Sequence, residues 1–203
     1  MKIAIIGTGN VGGALATQWA KAGHTILLGV RDTQNFKGKQ LLDNPNTSAH
    51  SIAEAAALAD VILVATPPQY AEGLATQFGT ANGKTIIDAT NAIRTKPENY
   101  PTAYHAFAAL TAAAVVKCFN TTGFENMKNP DYGSVVLDMF MAGDNTAAKV
   151  IATQLSKDAG FEACYDFGDG SKVVLLEKFA LSWINLAIFQ KHGRGIGFKV
   201  VKR

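Results

Sequence analysis

The sequence predicts an α/β fold of the Rossmann type, a doubly wound and mainly parallel sheet with a small helical C-terminal portion. Short apolar runs rich in β-branched residues alternate with helical stretches as far as Phe119, which is the βαβ rhythm of a parallel sheet. A glycine-rich turn from Gly7 to Gly13 separates the first apolar run from the first helix. Of the 203 residues, 48% are hydrophobic and 17% are charged, so the chain can bury a sizeable core and disorder is not expected.

Five apolar runs are predicted to form the parallel strands: Lys2–Ile6, Thr25–Leu28, Val61–Ala65, Thr85–Asp88 and Val115–Phe119. Between the first two runs, apolar residues recur at helical spacing from Val11 to Ala22, and Gly23 follows where a helix would end. A short helix is predicted from Ser51 to Leu58, because Ser51 and Glu54 have the spacing of a capping box.

The pattern changes after Phe119, where residues 120–133 are predicted to be a loop, followed by a strand over 135–142 and a helix over 146–159. The segment 171–191 is apolar nearly all the way round, so a helix there must be buried on most faces. We divide the chain into a dinucleotide-binding domain, residues 1–143, and a small C-terminal extension, residues 144–203. The extension is expected to contribute the substrate pocket and the contact of a homodimer.

The glycine turn Gly7-Thr8-Gly9-Asn10-Val11-Gly12 is the motif that points most strongly to a ligand, because it lies directly between a strand and a helix. Gly7 permits the tight turn, Gly9 lets the backbone approach a pyrophosphate, and Gly12 allows the helix to pack closely on the strand. The helix N-terminus presents free N–H groups to the phosphates. We therefore predict that these six residues bind a dinucleotide.

The residues after the second strand decide between NADP and NAD. Arg31 stands where its guanidinium could bind a 2′-phosphate, and the hydroxyl of Thr8 could add a second contact. Asp32 competes with this interpretation, because an acid at the end of the second strand binds the ribose hydroxyls of NAD. We favour NADP, with Asp32 as the N-cap of a following helix.

Two further stretches follow predicted strands: Ala65-Thr66-Pro67 after the third and Asp88-Ala89-Thr90-Asn91 after the fourth. Open α/β sheets bind ligands at the carboxyl ends of their strands. We expect Ala65, Thr66, Pro67 and Asn91 to contact the cofactor, although turn formation alone would also explain Thr66 and Asn91.

Composition argues against several classes of protein. The net charge of +3 comes from scattered side chains rather than a basic patch, so no nucleic-acid partner is expected. No apolar run approaches the roughly 20 residues that span a bilayer, so no membrane segment is expected. The two cysteines, Cys118 and Cys164, have no metal-ligand spacing, which favours a reducing cytoplasm and no bound metal. The four histidines share no spacing with a carboxylate or cysteine, and no hydrolase, kinase or metalloprotease motif is present.

Four segments make the chain resemble the NADPH-dependent deazaflavin (coenzyme F420) reductases, also called deazaflavin-dependent NADP oxidoreductases. They are IAIIGTGNVGGALATQWAKAGHTILLGVRD, VILVATPP, VVKCFNTTGFENMKNP and the tail LLEKFALSWINLAIFQKHGRGIGFKVVKR. The family is related to the cytoplasmic nucleotide domain of six-transmembrane ferric reductases. The resemblance implies a Rossmann domain whose NADP(H) passes a hydride directly to a flat deazaflavin ring.

The resemblance also implies a 2′-phosphate site made by a threonine in the glycine turn and a Ser-Arg pair after the second strand. Thr8 and Arg31 match that pattern, whereas Val30 stands in place of the serine. With the cofactor over the glycine turn, the acceptor is expected between the strand ends and the loop 120–126, in contact with Asn120 and Thr122.

Three functions remain open at this point. The first is an NADP(H) oxidoreductase whose acceptor is a deazaflavin or a flavin-like ring. The second is a carbonyl or imine reductase of the same fold, which needs a buried Lys, His or Tyr as a proton donor beside the nicotinamide. The third is a nucleotide-binding sensor without turnover.

Overall fold

The computed structural model describes residues 1–203, which form a single eight-stranded sheet flanked by helices. The strands are β1 (Lys2–Ile6), β2 (Thr25–Val30), β3 (Thr47–Ser51), β4 (Val61–Val64), β5 (Thr85–Asp88), β6 (Ala114–Cys118), β7 (Met139–Ala142) and β8 (Cys164–Asp166). Their order is β3-β2-β1-β4-β5-β6-β7-β8. The first six strands are parallel, β7 is antiparallel to β6, and β8 is parallel to β7. The Rossmann-type fold class is therefore confirmed.

Seven α-helices cover the sheet: α1 (Asn10–Lys21), α2 (Ile52–Leu58), α3 (Ala71–Phe78), α4 (Ala103–Leu110), α5 (Phe124–Lys128), α6 (Thr146–Asp158) and α7 (Val173–Ile184). Short 3-10 turns lie at Lys39–Asp43, Pro68–Tyr70 and Gly170–Lys172, and a π-helical turn, Asn185–Phe189, continues α7. The predicted capping box of α2 is confirmed, because Ser51 and Glu54 exchange side-chain and backbone hydrogen bonds.

The core has two layers, one on each face of the sheet. On one face α1 and α6 pack together, and the buried Trp19 indole donates to the carbonyl of Leu155 at 2.8 Å. The same indole meets the Phe119 ring edge-on, with centroids 5.5 Å apart. The other face is covered by α2, α3, α4 and α7, where Phe78 stacks on Phe107. Truncating an aromatic side chain buried in this way to alanine typically costs about 3–5 kcal/mol of stability.

Several strands begin or end at other residues than the sequence predicts. Strand β2 runs on from the expected Leu28 to Val30, so that Arg31 follows it directly. The third predicted strand ends at Val64, and the fifth covers Ala114–Cys118. Phe119 leaves that strand because its backbone is left-handed, with φ of 65°.

The region after Phe119 differs more from the expectation. The predicted strand over 135–142 begins only at Met139, because residues 131–136 form a turn closed by a bridge between Asp131 and Val136. The predicted loop over 120–133 contains α5. The helix expected over 146–159 is observed as α6, and Asn145 caps it by accepting the N–H of Ala148 at 3.0 Å.

The apolar C-terminal segment was expected to form one helix that is buried on most faces. That expectation is wrong for the single chain. It divides into a 3-10 turn, α7 and the π-helical turn. One side of α7 is buried, with Val173, Leu176 and Trp183 in the core. The opposite side leaves Leu175 52% exposed, and Phe189 beyond it is 66% exposed.

The boundary predicted at residue 143 falls between β7 and α6, and β8 from the C-terminal side pairs with β7 in the same sheet. No helix has the length and the apolar character needed to cross a membrane.

Candidate active site

The glycine turn after β1 has the backbone geometry that the motif predicts. Gly7 has φ of +104°, and a Cβ atom there would lie 2.6 Å from the carbonyl oxygen of Ala65. A Cβ on Gly12 would lie 1.9 Å from the carbonyl oxygen of Gly7, so these two positions admit only glycine. A Cβ on Gly9, by contrast, would meet no atom within 4 Å. The space above Gly9 is therefore open to a ligand.

Helix α1 begins at Asn10 with an N-terminus that the protein leaves uncapped. Its N-cap residue is Gly9, no side chain caps the first turn, and no acidic residue lies in that turn. The first backbone N–H groups of a helix have no partner inside it and attract anions. The N–H groups of Asn10, Val11 and Gly12 thus remain available to an anion.

A cavity of about 520 Å³ borders this turn, between α1, the segment 40–47 and α5. Thr8, Gly9, Asn10 and Lys128 are among its lining residues, whereas the residues at the ends of β4, β5 and β6 are not. The hydroxyl of Thr8 donates a hydrogen bond to the carbonyl of Lys37. A phosphate contact from Thr8 would require that bond to be released.

Arg31 and Asp32 lie at the end of β2, and both side chains are exposed. Arg31 makes no ion pair and no side-chain hydrogen bond within the chain, so its guanidinium is free for a ligand. Asp32 instead accepts the backbone N–H groups of Gln34 at 2.9 Å and Asn35 at 3.3 Å. The expectation that Asp32 caps a helix is wrong, because its carboxylate closes a turn and the next helical residues begin only at Lys39.

The ends of three neighbouring strands bring the other predicted residues together. Ala65, Thr66 and Pro67 follow β4, and Asn91 and Asn120 come after the adjacent β5 and β6. Asn91 donates to the carbonyl of Asn120 at 2.9 Å, and the Asn120 amide donates to the side-chain oxygen of Asn91 at 2.9 Å. The left-handed Phe119 turns the chain at this point, and such strained residues are frequent at functional sites.

Three buried side-chain oxygens in this strand-end cluster have no hydrogen-bond partner within the chain. They are Oγ1 of Thr66, Oγ1 of Thr90 and Oδ1 of Asn120. Leaving a buried polar group unpaired costs roughly 1–3 kcal/mol, so most such groups in proteins are satisfied. Three of them on adjacent strand ends make this cluster a candidate site for a polar ligand. Thr90 was not predicted as a site residue, although it directly precedes Asn91, which was.

Thr122, the second predicted substrate residue, belongs to the loop that ends in α5. Its hydroxyl accepts a hydrogen bond from Nδ2 of Asn126 at 2.7 Å. Asn126 is 2% exposed; it also donates to the carbonyl of Ile196 and accepts from the hydroxyl of Tyr132, at 2.7 and 2.8 Å. The C-terminal tail thereby fixes the loop that carries Thr122.

A buried ionic triad lies beneath the strand-end cluster. Lys117 and Asp88 stand opposite each other in register on β6 and β5, and both side chains are completely buried. Nζ of Lys117 lies 3.0 Å from Oδ2 of Asp88 and 2.5 Å from Oε1 of Glu177 on α7. Sequence reasoning missed this triad, although a lysine inside the predicted apolar strand Val115–Phe119 indicates a buried partner.

Three of the four histidines bond to neighbouring side chains. His24 pairs with Asp158 at 2.8 Å, and His50 bonds to Ser48. His105 bonds to Thr102 at 2.7 Å, and burial lowers its pKa below the usual histidine value. No group of three or more His, Cys, Asp or Glu side chains could hold a metal ion.

This arrangement of a glycine turn, an open helix N-terminus and polar strand ends agrees with the family comparison. Residues 2–92 match the model of the family described as NADP oxidoreductase, coenzyme F420-dependent. The match covers a little under half of the chain, and this family of NADP oxidoreductases is the one that the chain resembles. The resemblance noted from the sequence is therefore confirmed.

Two proteins match this chain over nearly its whole length. The F420-dependent NADP reductase of Methanothermobacter thermautotrophicus is 26% identical, with 98% of this chain and 94% of that protein aligned. A crystal structure from Arthrobacter sp. FB24 covers 100% of both chains, with a TM-score of 0.87 and 26% identity. That protein is provisionally described as an F420-dependent NADP reductase.

Other relatives match less of their own length. The ketol-acid reductoisomerase (NADP(+)) of Bifidobacterium animalis subsp. lactis is 37% identical over 73 residues, 36% of this chain and 20% of that enzyme. This chain thus spans about one fifth of that relative. A reductive aminase of Aspergillus terreus has a TM-score of 0.68 at 21% identity and covers 94% of this chain and 62% of its own. It shares the fold.

Proposed function

We propose that this chain uses NADP(H) to pass a hydride between the nicotinamide and a deazaflavin or flavin-like acceptor. NADP(H) supplies the hydride chemistry, and the protein binds and orients the reactants. The observation that carries the proposal is the strand-end cluster, where Thr66, Thr90 and Asn120 present unpartnered buried oxygens. A carboxamide offers N–H donors to Oδ1 of Asn120 and an oxygen acceptor to the threonine hydroxyls.

The other end of the cofactor fits the glycine turn and Arg31. The uncapped N-terminus of α1 and the open space above Gly9 suit a pyrophosphate. Arg31, directly after β2 and without a partner in the chain, suits a 2′-phosphate. Asp32 is already bonded to two backbone N–H groups, which supports NADP over NAD.

The chemistry around the cluster supports a flat ring as the acceptor. Lys117 is enclosed by two carboxylates and has no exposed surface, and His105 is bonded to Thr102. A carbonyl or imine reductase needs a proton donor within hydrogen-bond reach of its substrate, and a lysine enclosed in this way does not offer one. Hydride transfer to a flavin-like ring depends chiefly on holding two rings in contact and excluding water. Asn91, Asn120 and the loop that carries Thr122 can do this.

The test is to mix the purified protein with NADPH and a panel of deazaflavin, flavin, ferric and carbonyl or imine acceptors, while following nicotinamide absorbance. We expect oxidation with a deazaflavin or flavin. Oxidation with an imine or carbonyl alone would contradict the proposal. Tight nucleotide binding without turnover on any acceptor would identify a sensor instead.

We also propose that the protein is a homodimer joined through the exposed side of α7 and the π-helical turn after it. Leu175, Leu186, Ile188 and Phe189 are between 37% and 66% exposed, and contiguous apolar surface of this kind commonly marks an interface. Sedimentation should give a dimer at micromolar concentration. Leu175→Glu together with Phe189→Glu should give a monomer, and Val150→Glu on α6, an exposed apolar control, should not. A wild-type monomer would overturn this part of the proposal.

A reducing compartment such as the cytoplasm suits the cysteines. Cys118 and Cys164 are free thiols whose sulfur atoms lie 4.0 Å apart. They stand on β6 and β8, with β7 between them. Alternate strands in a sheet are roughly 9–10 Å apart, whereas a disulfide needs Cα atoms within about 7 Å. The two thiols therefore belong to the reduced protein.

A further inference from the structure

The triad beneath the strand-end cluster carries a negative charge that the protein leaves unbalanced. Two carboxylates, Asp88 and Glu177, share a single ammonium, that of Lys117, at 3.0 and 2.5 Å. No second cationic side chain forms an ion pair with either carboxylate. The nearby His105 adds no charge near neutral pH, because burial lowers its pKa. The triad thus has a formal net charge of minus one, and the side chains of Lys117 and Asp88 are fully buried.

The same carboxylates hold the loop that leads from β5 into the cluster. Oδ1 of Asp88 accepts the N–H of Thr90 at 2.9 Å, and Oε2 of Glu177 accepts the N–H of Ala92 at 3.0 Å. Thr90 and Asn91 are cluster residues, so the charged groups and the proposed nicotinamide site are joined by direct hydrogen bonds. Nothing in the proposed reaction uses the triad as an acid or a base.

We propose that the negative charge of the Asp88–Lys117–Glu177 triad stabilises the oxidised, cationic nicotinamide relative to the reduced, neutral one. The inference rests on the proposed position of the nicotinamide at the strand ends. A buried charge acts through a medium of low effective dielectric constant, so it is felt more strongly than a surface charge. The triad would then favour hydride donation by NADPH without touching the acceptor.

The test compares dissociation constants for NADP+ and NADPH, measured by titration calorimetry without any acceptor. Glu177→Gln removes the charge and keeps one acceptor oxygen, so it can accept a hydrogen bond from Lys117 or from Ala92 but not from both. We expect it to raise the ratio of the NADP+ to the NADPH dissociation constant roughly three- to tenfold. Asp88→Asn is an independent variant with the same expectation, and Glu177→Asp, which keeps the charge, should leave the ratio near the wild-type value.

The matched control is Glu162→Gln, which removes an equal charge from the surface, where Glu162 pairs with Lys199. It should not move the ratio. If Glu177 only holds the loop in place by its hydrogen bond to Ala92, Glu177→Gln will raise the dissociation constants of both nucleotides by the same factor. That result would overturn the inference while leaving the proposed function intact. A wild-type protein that binds neither nucleotide would overturn the proposed function and the inference with it.

Discussion

Replacement of Arg31 by alanine should weaken NADPH binding selectively. Arg31 follows β2 directly, is exposed, and has no ionic partner in the chain, so its guanidinium is free to contact a 2′-phosphate. A hydrogen bond to a charged group is worth about 1.5–3 kcal/mol, which is roughly a 10- to 150-fold change in dissociation constant. Because the side chain is exposed and salt screens it, we expect the lower end, about 10- to 30-fold at physiological ionic strength.

The assay is a fluorescence or calorimetric titration of NADPH and NADH against the wild-type protein and Arg31→Ala. NADH affinity should be nearly unchanged. Arg31→Lys should recover part of the NADPH affinity, because it keeps the charge and loses the planar fork. Lys21→Ala, an exposed cation at the far end of α1, is the matched control and should bind both nucleotides normally. Equal losses for NADPH and NADH in Arg31→Ala would refute the assignment.

Four further results are expected. Gly9→Val should fold normally, since its Cβ meets no protein atom, yet lose nucleotide in a titration; normal binding would exclude this turn as the pyrophosphate site. Asn120→Ala should lower the single-turnover rate in a graded way, whereas a thousandfold collapse in His105→Ala would favour a carbonyl or imine reductase. Lys117→Met should lower the free energy of unfolding in urea by about 3–5 kcal/mol, because it leaves buried carboxylates unpaired; an unchanged midpoint would contradict the triad. Burial raises the pKa of Tyr104 to about 12. Protonated Tyr104 therefore makes its full contribution to the free energy of unfolding below about pH 10, and this contribution is lost between pH 10 and 12. Tyr104→Phe should remove that loss.

The parts of the fold predicted correctly were those with strong periodic patterns. Strands β1 and β5 have the predicted bounds, and the capping box located α2. Strand β3 was missed because its sequence, Thr-Ser-Ala-His-Ser, is polar and forms the edge of the sheet. Strand β8 has only three residues, and helices α3 and α4 have eight each, which is too short for a distinct apolar pattern.

The site also contains residues that the sequence predicts and residues that it does not. The glycine turn and the residues after β4, β5 and β6 follow from the rule that parallel strands expose their carboxyl ends together. The role of Asp32 could not be predicted, because its turn depends on where residues 33–38 run. The triad joins residues far apart in sequence, since Lys117 and Glu177 are separated by 60 in residue number. Only tertiary packing brings α7 over the sheet.

We propose direct hydride transfer from NADPH to a flat ring at the strand-end cluster. It is tested most directly with NADPH deuterated at the transferring C4 position and a deazaflavin acceptor, followed by mass spectrometry of the reduced acceptor. The acceptor atom in a deazaflavin is carbon, so a transferred deuterium does not exchange with water. We expect one deuterium in the reduced deazaflavin, and much less product from Asn120→Ala in the same time. Reduced deazaflavin without deuterium, or no reduction while an imine is reduced, would contradict it.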